Sequence, residues 1–317
     1  MRVLVTDAEY ASLDIESDVL TAAGHELLTA RCRTPEDVIE AAQGVDAVIA
    51  QYAPITAEVL EALPQLRLVS RYGVGVDSVD LDAARARGVW VCNVPDYGTA
   101  EVALHAVAML LALLRNLGGH DREVRAGRWD YKLGGELHRP GELTLGVLGL
   151  GRIGRMTMER AAPWFGGCLG YDPHLPDEAW PGGIERVGLD ELFARSNAVT
   201  LHLPLTEGTR GLVGADLLAR MPVGSYLVNT ARGGLVDLDA VLQALDAGRL
   251  AGVALDVLPQ EPPPWGHPLL AHPRALLSPH VAWYSEEAEA ELRRKAAQNV
   301  VTWARTGRPT YPVVEGR

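Results

Sequence analysis

The sequence predicts an α/β protein built from two blocks, each a parallel sheet with helical crossovers. Three observations carry this. Short apolar runs alternate with segments of helical period along most of the chain, the pattern of strands joined by crossovers. A long apolar helix and a glycine-rich stretch separate two such blocks. The length of 317 residues suits two domains at about 100–200 residues each. With 48% hydrophobic and 22% charged residues, the composition is that of an ordinary globular protein and excludes a largely disordered or fibrous chain.

The first block opens with the apolar run Val3–Val5. A helical pattern follows through Ile15, Val19, Leu20 and Ala23 and stops at Gly24. Further strands are expected at Ala47–Ala50, Leu66–Ser70 and Val89–Cys92. Helical stretches lie between them, such as Thr56–Leu63 with Pro64 just after. The block ends near Pro95. Thr99–Leu114 is the longest apolar helix, with Thr99 placed to cap it and Glu101 suited to its positive end. Residues 116–141 carry Gly118, Gly119, Gly127, Gly134, Gly135 and Gly141 and read as a loop-rich arm. The second block has strands at Leu143–Leu148, Cys168–Tyr171, Ala198–Leu201, Tyr226–Asn229, Gly252–Leu255 and Ala275–Leu277. A last helix spans Ser285–Thr306.

Charge and cysteine usage exclude several classes. With 29 basic and 41 acidic residues the formal charge is −12. Such a surface repels phosphate backbones, so no nucleic-acid partner is expected. Cys32, Cys92 and Cys168 are far apart and odd in number, so neither a disulfide framework nor a metal site is indicated. The segment Val3–Asp7 is too short for a signal-peptide core. No apolar run reaches the ~18 residues of a membrane span; Val102–Leu114 carries His105 and ends at Arg115. A cytoplasmic protein without a membrane partner is expected.

Leu143–Leu148 runs into Gly149-Leu150-Gly151-Arg152-Ile153-Gly154 and then into a helix expected over Arg155–Trp164. This is G-x-G-x-x-G between a strand and a helix. Gly149 permits the tight turn, Gly151 lets backbone amides approach a pyrophosphate, and Gly154 lets helix and strand pack closely. The helix N-terminus adds partial positive charge. Asp172 ends the next strand. A carboxylate there accepts from both ribose hydroxyls and repels a 2′-phosphate, which favours NAD over NADP.

Three further strand ends in this block carry polar residues, where ligands bind in open parallel sheets. Arg232 follows Val228-Asn229-Thr230-Ala231 and precedes two glycines; a guanidinium there can clamp a carboxylate and polarise a neighbouring carbonyl. Asp256 follows Ala254-Leu255, with Glu261-Pro262 just beyond. His280 follows Ser278-Pro279 and precedes Val281-Ala282-Trp283-Tyr284. A histidine beside a carboxylate suits acid–base work. Reducing a ketone needs a hydride on carbon and a proton on oxygen, and His280 is placed to supply the proton.

These motifs, with Arg71-Tyr72-Gly73-Val74-Gly75-Val76-Asp77 and Leu201-His202-Leu203-Pro204-Leu205-Thr206, resemble the D-isomer-specific 2-hydroxyacid dehydrogenase family over nearly the whole chain. Asn93–Gly98 and His280–Ser285 look most like its C-terminal binding protein branch and bacterial relatives. The resemblance implies two Rossmann-like or flavodoxin-like parallel-sheet domains with an active-site cleft between them. It assigns residues 1–97 plus 284–317 to the substrate domain and 98–283 to the NAD-binding domain. It implies Arg232, Glu261 and His280 as the catalytic triad and the backbone of Val74 and Gly75 as the holder of the substrate carboxylate. It implies Asp256 as a cofactor contact near the nicotinamide. Val102, Leu203, Pro204, Thr209, Thr230, Ala231 and Ala282 join the glycine loop and Asp172 as implied cofactor contacts. Leu203 stands where many relatives have cysteine. Dimers through the cofactor domain are typical of the family, with the long helix and the 116–141 arm contributing.

An NAD-dependent enzyme interconverting 2-hydroxy and 2-oxo acids is therefore expected. The alternative is an NAD(H)-sensing dimeric binding protein of the co-repressor kind; an intact Arg232, Glu261 and His280 set favours the enzyme. Substrate candidates include phosphoglycerate, hydroxypyruvate, glyoxylate, phosphonopyruvate and phosphite. Arg71 suits a second anionic group on the substrate, whereas Trp283, with Tyr52 as a further wall, suits an apolar side chain.

Overall fold

The computed structural model describes residues 1–317. It separates into two compact units, Met1–Gly98 with Ser285–Arg317, and Thr99–Tyr284. Both are α/β with parallel sheets.

The first unit holds strands β1 (Arg2–Val5), β2 (Glu26–Thr29), β3 (Ala47–Ala50), β4 (Leu68–Arg71), β5 (Trp90–Cys92) and β13 (Pro312–Val314) in the order β13-β5-β4-β3-β1-β2. All pairings are parallel except β13 on β5. The four residues of β3 are all buried, as expected of a strand covered on both faces. Helices α1 (Asp14–Ala22), α2 (Pro35–Ala41), α3 (Ala57–Ala62), α4 (Leu81–Arg87) and α11 (Glu286–Thr306) flank the sheet. Their ends are written in the sequence: Thr34 and Asp37 form a capping box on α2, and Gly88 ends α4 in the left-handed region. Ser285 caps α11 by accepting from the Ala288 amide at 3.0 Å. Inside the unit, Arg293 of α11 holds Glu16 of α1 with two hydrogen bonds of 2.9 Å, and Glu16 also accepts from the Tyr72 hydroxyl at 3.0 Å.

The second unit holds β6 (Thr144–Leu148), β7 (Gly167–Tyr171), β8 (Glu185–Arg186), β9 (Ala198–Leu201), β10 (Ser225–Asn229), β11 (Leu250–Leu255) and β12 (Ala275–Leu277), ordered β12-β11-β10-β9-β6-β7-β8 and parallel throughout. The order reverses between β6 and β9. In doubly wound sheets that reversal opens a crevice at the carboxyl ends of the strands. The helices are α5 (Thr99–Leu114), α6 (Leu117–Arg125), α7 (Arg152–Ala161), α8 (Leu189–Arg195), α9 (Ala215–Arg220) and α10 (Leu238–Asp246). No single helix is long and apolar enough to cross a membrane.

The α/β class and most strand positions match the sequence reading. Three differences have local causes. The arm is not all loop: α6 occupies 117–125 despite Gly118 and Gly119, because Asn116 takes a left-handed turn (φ 44°) and donates from Nδ2 to the Gly134 carbonyl. Helix α7 starts at Arg152, inside the glycine motif, and not at Arg155. Strands β2, β8 and β13 lie at or near sheet edges, where half-exposed short segments lack the continuous apolar run that marks β3 or β9.

Candidate active site

The glycine loop joins β6 to α7 at the reversal of the second sheet. A Cβ on Gly154 would overlap the Gly149 carbonyl, so only glycine lets α7 pack this close to the turn. A Cβ on Gly151 would meet nothing, so the backbone there borders open space. Gly151 is the N-cap of α7, and no side chain caps the helix. The positive end of α7 thus stands open beside the loop, which is what a pyrophosphate requires. Asp172 lies against the same loop: Oδ2 accepts from the Leu150 amide at 2.9 Å and Oδ1 from the His174 amide at 3.0 Å. Leu203 packs beside Gly149. Thr209 closes the turn after β9 by donating to the Pro204 carbonyl at 2.8 Å. At the end of β10, Thr230 is buried and its Oγ1 has no hydrogen-bond partner, a donor left for a ligand. Ala231 follows it, held by the Asn229 side chain at 3.0 Å. Val102 lies in the first turn of α5. An open helix end, an open glycine backbone, a strand-end carboxylate and an orphaned buried hydroxyl fit a dinucleotide.

The candidate reacting groups Arg232, Glu261 and His280 follow the ends of β10, β11 and β12. Asn229 orders the turn after β10, its Nδ2 donating to the Arg232 carbonyl at 2.9 Å. A Cβ on Gly233 would collide with the backbone of Leu258, so glycine brings the Arg232 turn onto the segment that carries Glu261. Glu261 Oε1 accepts from the Leu258 amide at 2.8 Å, and Oε2 lies 2.6 Å from Nδ1 of His280. Burial pushes the Glu261 carboxyl up. The hydrogen bond and charge of His280, the Leu258 amide and the Arg232 guanidinium outweigh this and hold it below its ordinary value. An acceptor-only carboxylate on Nδ1 makes that nitrogen the donor and leaves Nε2 to exchange a proton with substrate.

Asp256 folds the loop that bears His280. Its side chain has no exposed surface. Oδ1 accepts from Ser278 Oγ and from the Val281 amide at 2.9 Å, Oδ2 accepts from the Ala282 amide at 3.0 Å, and its carbonyl accepts from the His280 amide at 2.7 Å. The carboxylate expected at the cofactor is thus enclosed by protein donors, and its visible role is to shape residues 278–282. His280 itself has φ 54°, a left-handed conformation rare outside glycine. Trp283 follows the loop and meets Tyr284 edge to face at 5.7 Å.

Tyr52, Arg71, Val74 and Gly75 belong to the first unit, whereas Arg232, Glu261, His280 and Trp283 belong to the second. The Tyr52 amide donates to Asp7 at 2.6 Å and the residue is half-exposed. Arg71 ends β4 and folds its guanidinium back over Gly73, where any Cβ would overlap it. The Gly73–Val74 turn is pinned through its carbonyls, by the Val94 amide at 3.0 Å and the Asn93 side chain at 2.6 Å. Sequence reasoning missed His105 as a site residue. Its only signal was a polar interruption in the apolar run of α5, yet its Nε2 lies 3.0 Å from Ser278 Oγ.

The second unit is therefore a dinucleotide-binding domain with a His–carboxylate pair and an arginine at its strand ends. Comparison with known proteins agrees. Residues 107–282 match the family described as D-isomer specific 2-hydroxyacid dehydrogenase, NAD binding domain. The chain is 36% identical over 292 residues to D-3-phosphoglycerate dehydrogenase of Archaeoglobus fulgidus, covering 91% of this chain but 55% of that protein. It is 38% identical over 276 residues to glyoxylate reductase of Korarchaeum cryptofilum, covering 84% of this chain and 82% of that one. The structure of an NAD-dependent formate dehydrogenase from Staphylococcus aureus in complex with NAD superimposes with a TM-score of 0.88 at 32% identity, over the full length of both chains. The protein belongs to the D-isomer-specific 2-hydroxyacid dehydrogenase family, and its cofactor is NAD.

Proposed function

We propose that this protein interconverts a 2-hydroxy acid and its 2-oxo acid, with His280 as the general acid and base. The observation that carries this is the 2.6 Å His280–Glu261 pair next to the Arg232 turn, within the NAD-binding unit. Bound NAD(H) supplies or accepts the hydride. The remaining steps fall to the chain. Arg232 holds the acid end of the substrate and polarises its carbonyl. His280 delivers a proton from Nε2 to the forming hydroxyl oxygen, or removes it in the oxidative direction. Glu261 accepts from Nδ1, fixes the ring and stabilises the imidazolium. The backbone at Val74 and Gly75 receives the carboxylate. Glyoxylate and 3-phosphoglycerate fit the relatives' names; Arg71 suits a substrate with a second anionic group, Trp283 one with an apolar side chain.

The protein acts as a homodimer in the cytoplasm on this reading. Leu117 and Val124 of α6, with Trp129, Tyr131 and Leu133 after it, are all exposed, a concentration of apolar surface that a second copy would cover. Three free thiols suit a reducing compartment.

The test is NADH oxidation across glyoxylate, hydroxypyruvate, phosphonopyruvate, oxaloacetate and phenylpyruvate. Turnover with at least one is expected. A protein that binds NADH yet oxidises it with none of them does not have this activity.

A further inference from the structure

His105 lies on α5, far in sequence from the triad, and no step described so far uses it. Its Nε2 lies 3.0 Å from Ser278 Oγ and 3.7 Å from Asp256 Oδ1. As a carboxylate, Asp256 can only accept, so the Ser278 hydroxyl donates to it. Ser278 Oγ is then the acceptor for His105, and Nε2 of His105 carries a proton. The result is a directed chain, His105 Nε2–H to Ser278 O–H to Asp256, that ends on the carboxylate organising residues 278–282. Asp256 has one buried side chain with which to hold Ser278, Val281 and Ala282, and its carbonyl holds His280. A loop that keeps His280 at φ 54° must be over-determined by its surroundings. The anchor from α5 supplies that constraint from outside the loop.

We infer that His105 is a positioning residue for His280, acting through Ser278 and Asp256 to hold the catalytic ring against Glu261. The inference rests on the dehydrogenase reading for its kinetic consequence, but its structural half stands apart. The polar partners of His105 are Ser278 and Asp256, not Glu261 or His280, so its effect runs through the loop. A Gln at 105 carries an amide donor of similar reach, whereas a Leu fills the space without donating.

The experiment compares His105→Leu, His105→Gln and Ser278→Ala in two readouts. The first is steady-state reduction of glyoxylate by NADH, with NADH affinity measured separately by fluorescence. The second is the Nδ1–H proton resonance of His280 in the full chain, assigned by its loss in His280→Ala, which needs no turnover. A misplacement of the ring of ~1 Å costs up to about 100-fold in rate. His105→Leu should therefore lower kcat about 10- to 100-fold with NADH affinity nearly unchanged, and should shift or erase the downfield His280 resonance. His105→Gln should recover most of both, and Ser278→Ala should mimic His105→Leu. If His105→Leu does not fold, Ser278→Ala carries the same test. An unchanged His280 resonance in His105→Leu and Ser278→Ala overturns the inference, as does a His105→Gln variant as damaged as His105→Leu. Wild-type protein that turns over no 2-oxo acid defeats the dehydrogenase reading instead, and the resonance still decides the role of His105.

Discussion

Nδ1 of His280 lies 2.6 Å from Oε2 of Glu261, nineteen residues earlier in the chain. The contact exists because the segment after β11 anchors both sides of it: its Leu258 amide holds Glu261, and its Asp256 holds the loop after β12, the carbonyl accepting from the His280 amide and the side chain from the Val281 amide. It links a carboxylate held below its ordinary range to a ring whose other nitrogen remains available.

His280→Ala should abolish turnover and leave NADH binding largely intact. Loss of general acid–base catalysis costs ~10²–10⁴-fold. Paired measurements of kcat and of NADH affinity by fluorescence titration decide it. A similar fall in both would mean that the loop had collapsed and not merely lost its proton carrier.

Glu261 contributes stability with a definite pH sign. A carboxyl whose folded value is depressed stabilises the fold fully above its unfolded value of about 4.3, and that contribution is lost as pH falls through the lower folded value. Thermal melts of the wild type and Glu261→Gln should therefore differ most above about pH 5 and converge toward pH 3. A constant gap across that range would show that the ionised carboxylate contributes nothing to the fold.

His202 has the same sign over a different pH range. It lies partly buried just past the end of β9, bonded through Nε2 to Thr200 at 3.0 Å, and burial lowers its pKa to about 3. The unfolded chain takes up a proton near pH 6.5 that the folded chain refuses, so stability falls as pH drops from about 6.5 toward 3, by at most ~1.4 kcal/mol per pH unit. His202→Asn should flatten that slope in urea unfolding curves measured across the range. An equally steep acid slope in the variant would assign it to other groups.

Asp172 should enforce NADH over NADPH. Its carboxylate sits against the glycine loop, where a 2′-phosphate would meet like charge. The ratio of kcat/KM for the two cofactors should favour NADH strongly in the wild type and fall in Asp172→Ser. Equal use of both by the wild type would remove Asp172 from cofactor choice.

On the proposed function, substitutions at Arg232 and Arg71 should differ in substrate selectivity. Arg232→Ala should damage every 2-oxo acid, because the clamp acts on the reacting group. Arg71→Ala should be selective: a substrate with a second anion loses a charge-assisted contact worth ~1.5–3 kcal/mol, about 10- to 150-fold, and a neutral side chain loses far less. Measured kcat/KM on oxaloacetate and pyruvate separates the cases. Equal damage to both would place Arg71 on the common carboxylate or in the fold.

What the sequence determined by itself was everything local in origin. Apolar runs such as Ala47–Ala50 and Ala198–Leu201 place buried strands, because a strand covered on both faces must be apolar at consecutive positions. Thr99–Leu114 was readable to both ends, and the glycine loop with Asp172 named its cofactor class, since tight turns and helix N-termini are specified by neighbours in the chain. Arg232, Glu261 and His280 were legible as candidates at strand ends. Tertiary structure alone decided their partners. The Gly233–Leu258 approach, the enclosure of Asp256 and the reach of His105 to Ser278 join residues up to 173 positions apart, and no periodicity or spacing encodes such a contact. Edge strands β2, β8 and β13 escaped for the same reason: a half-exposed segment becomes a strand only when a neighbouring strand offers it hydrogen bonds.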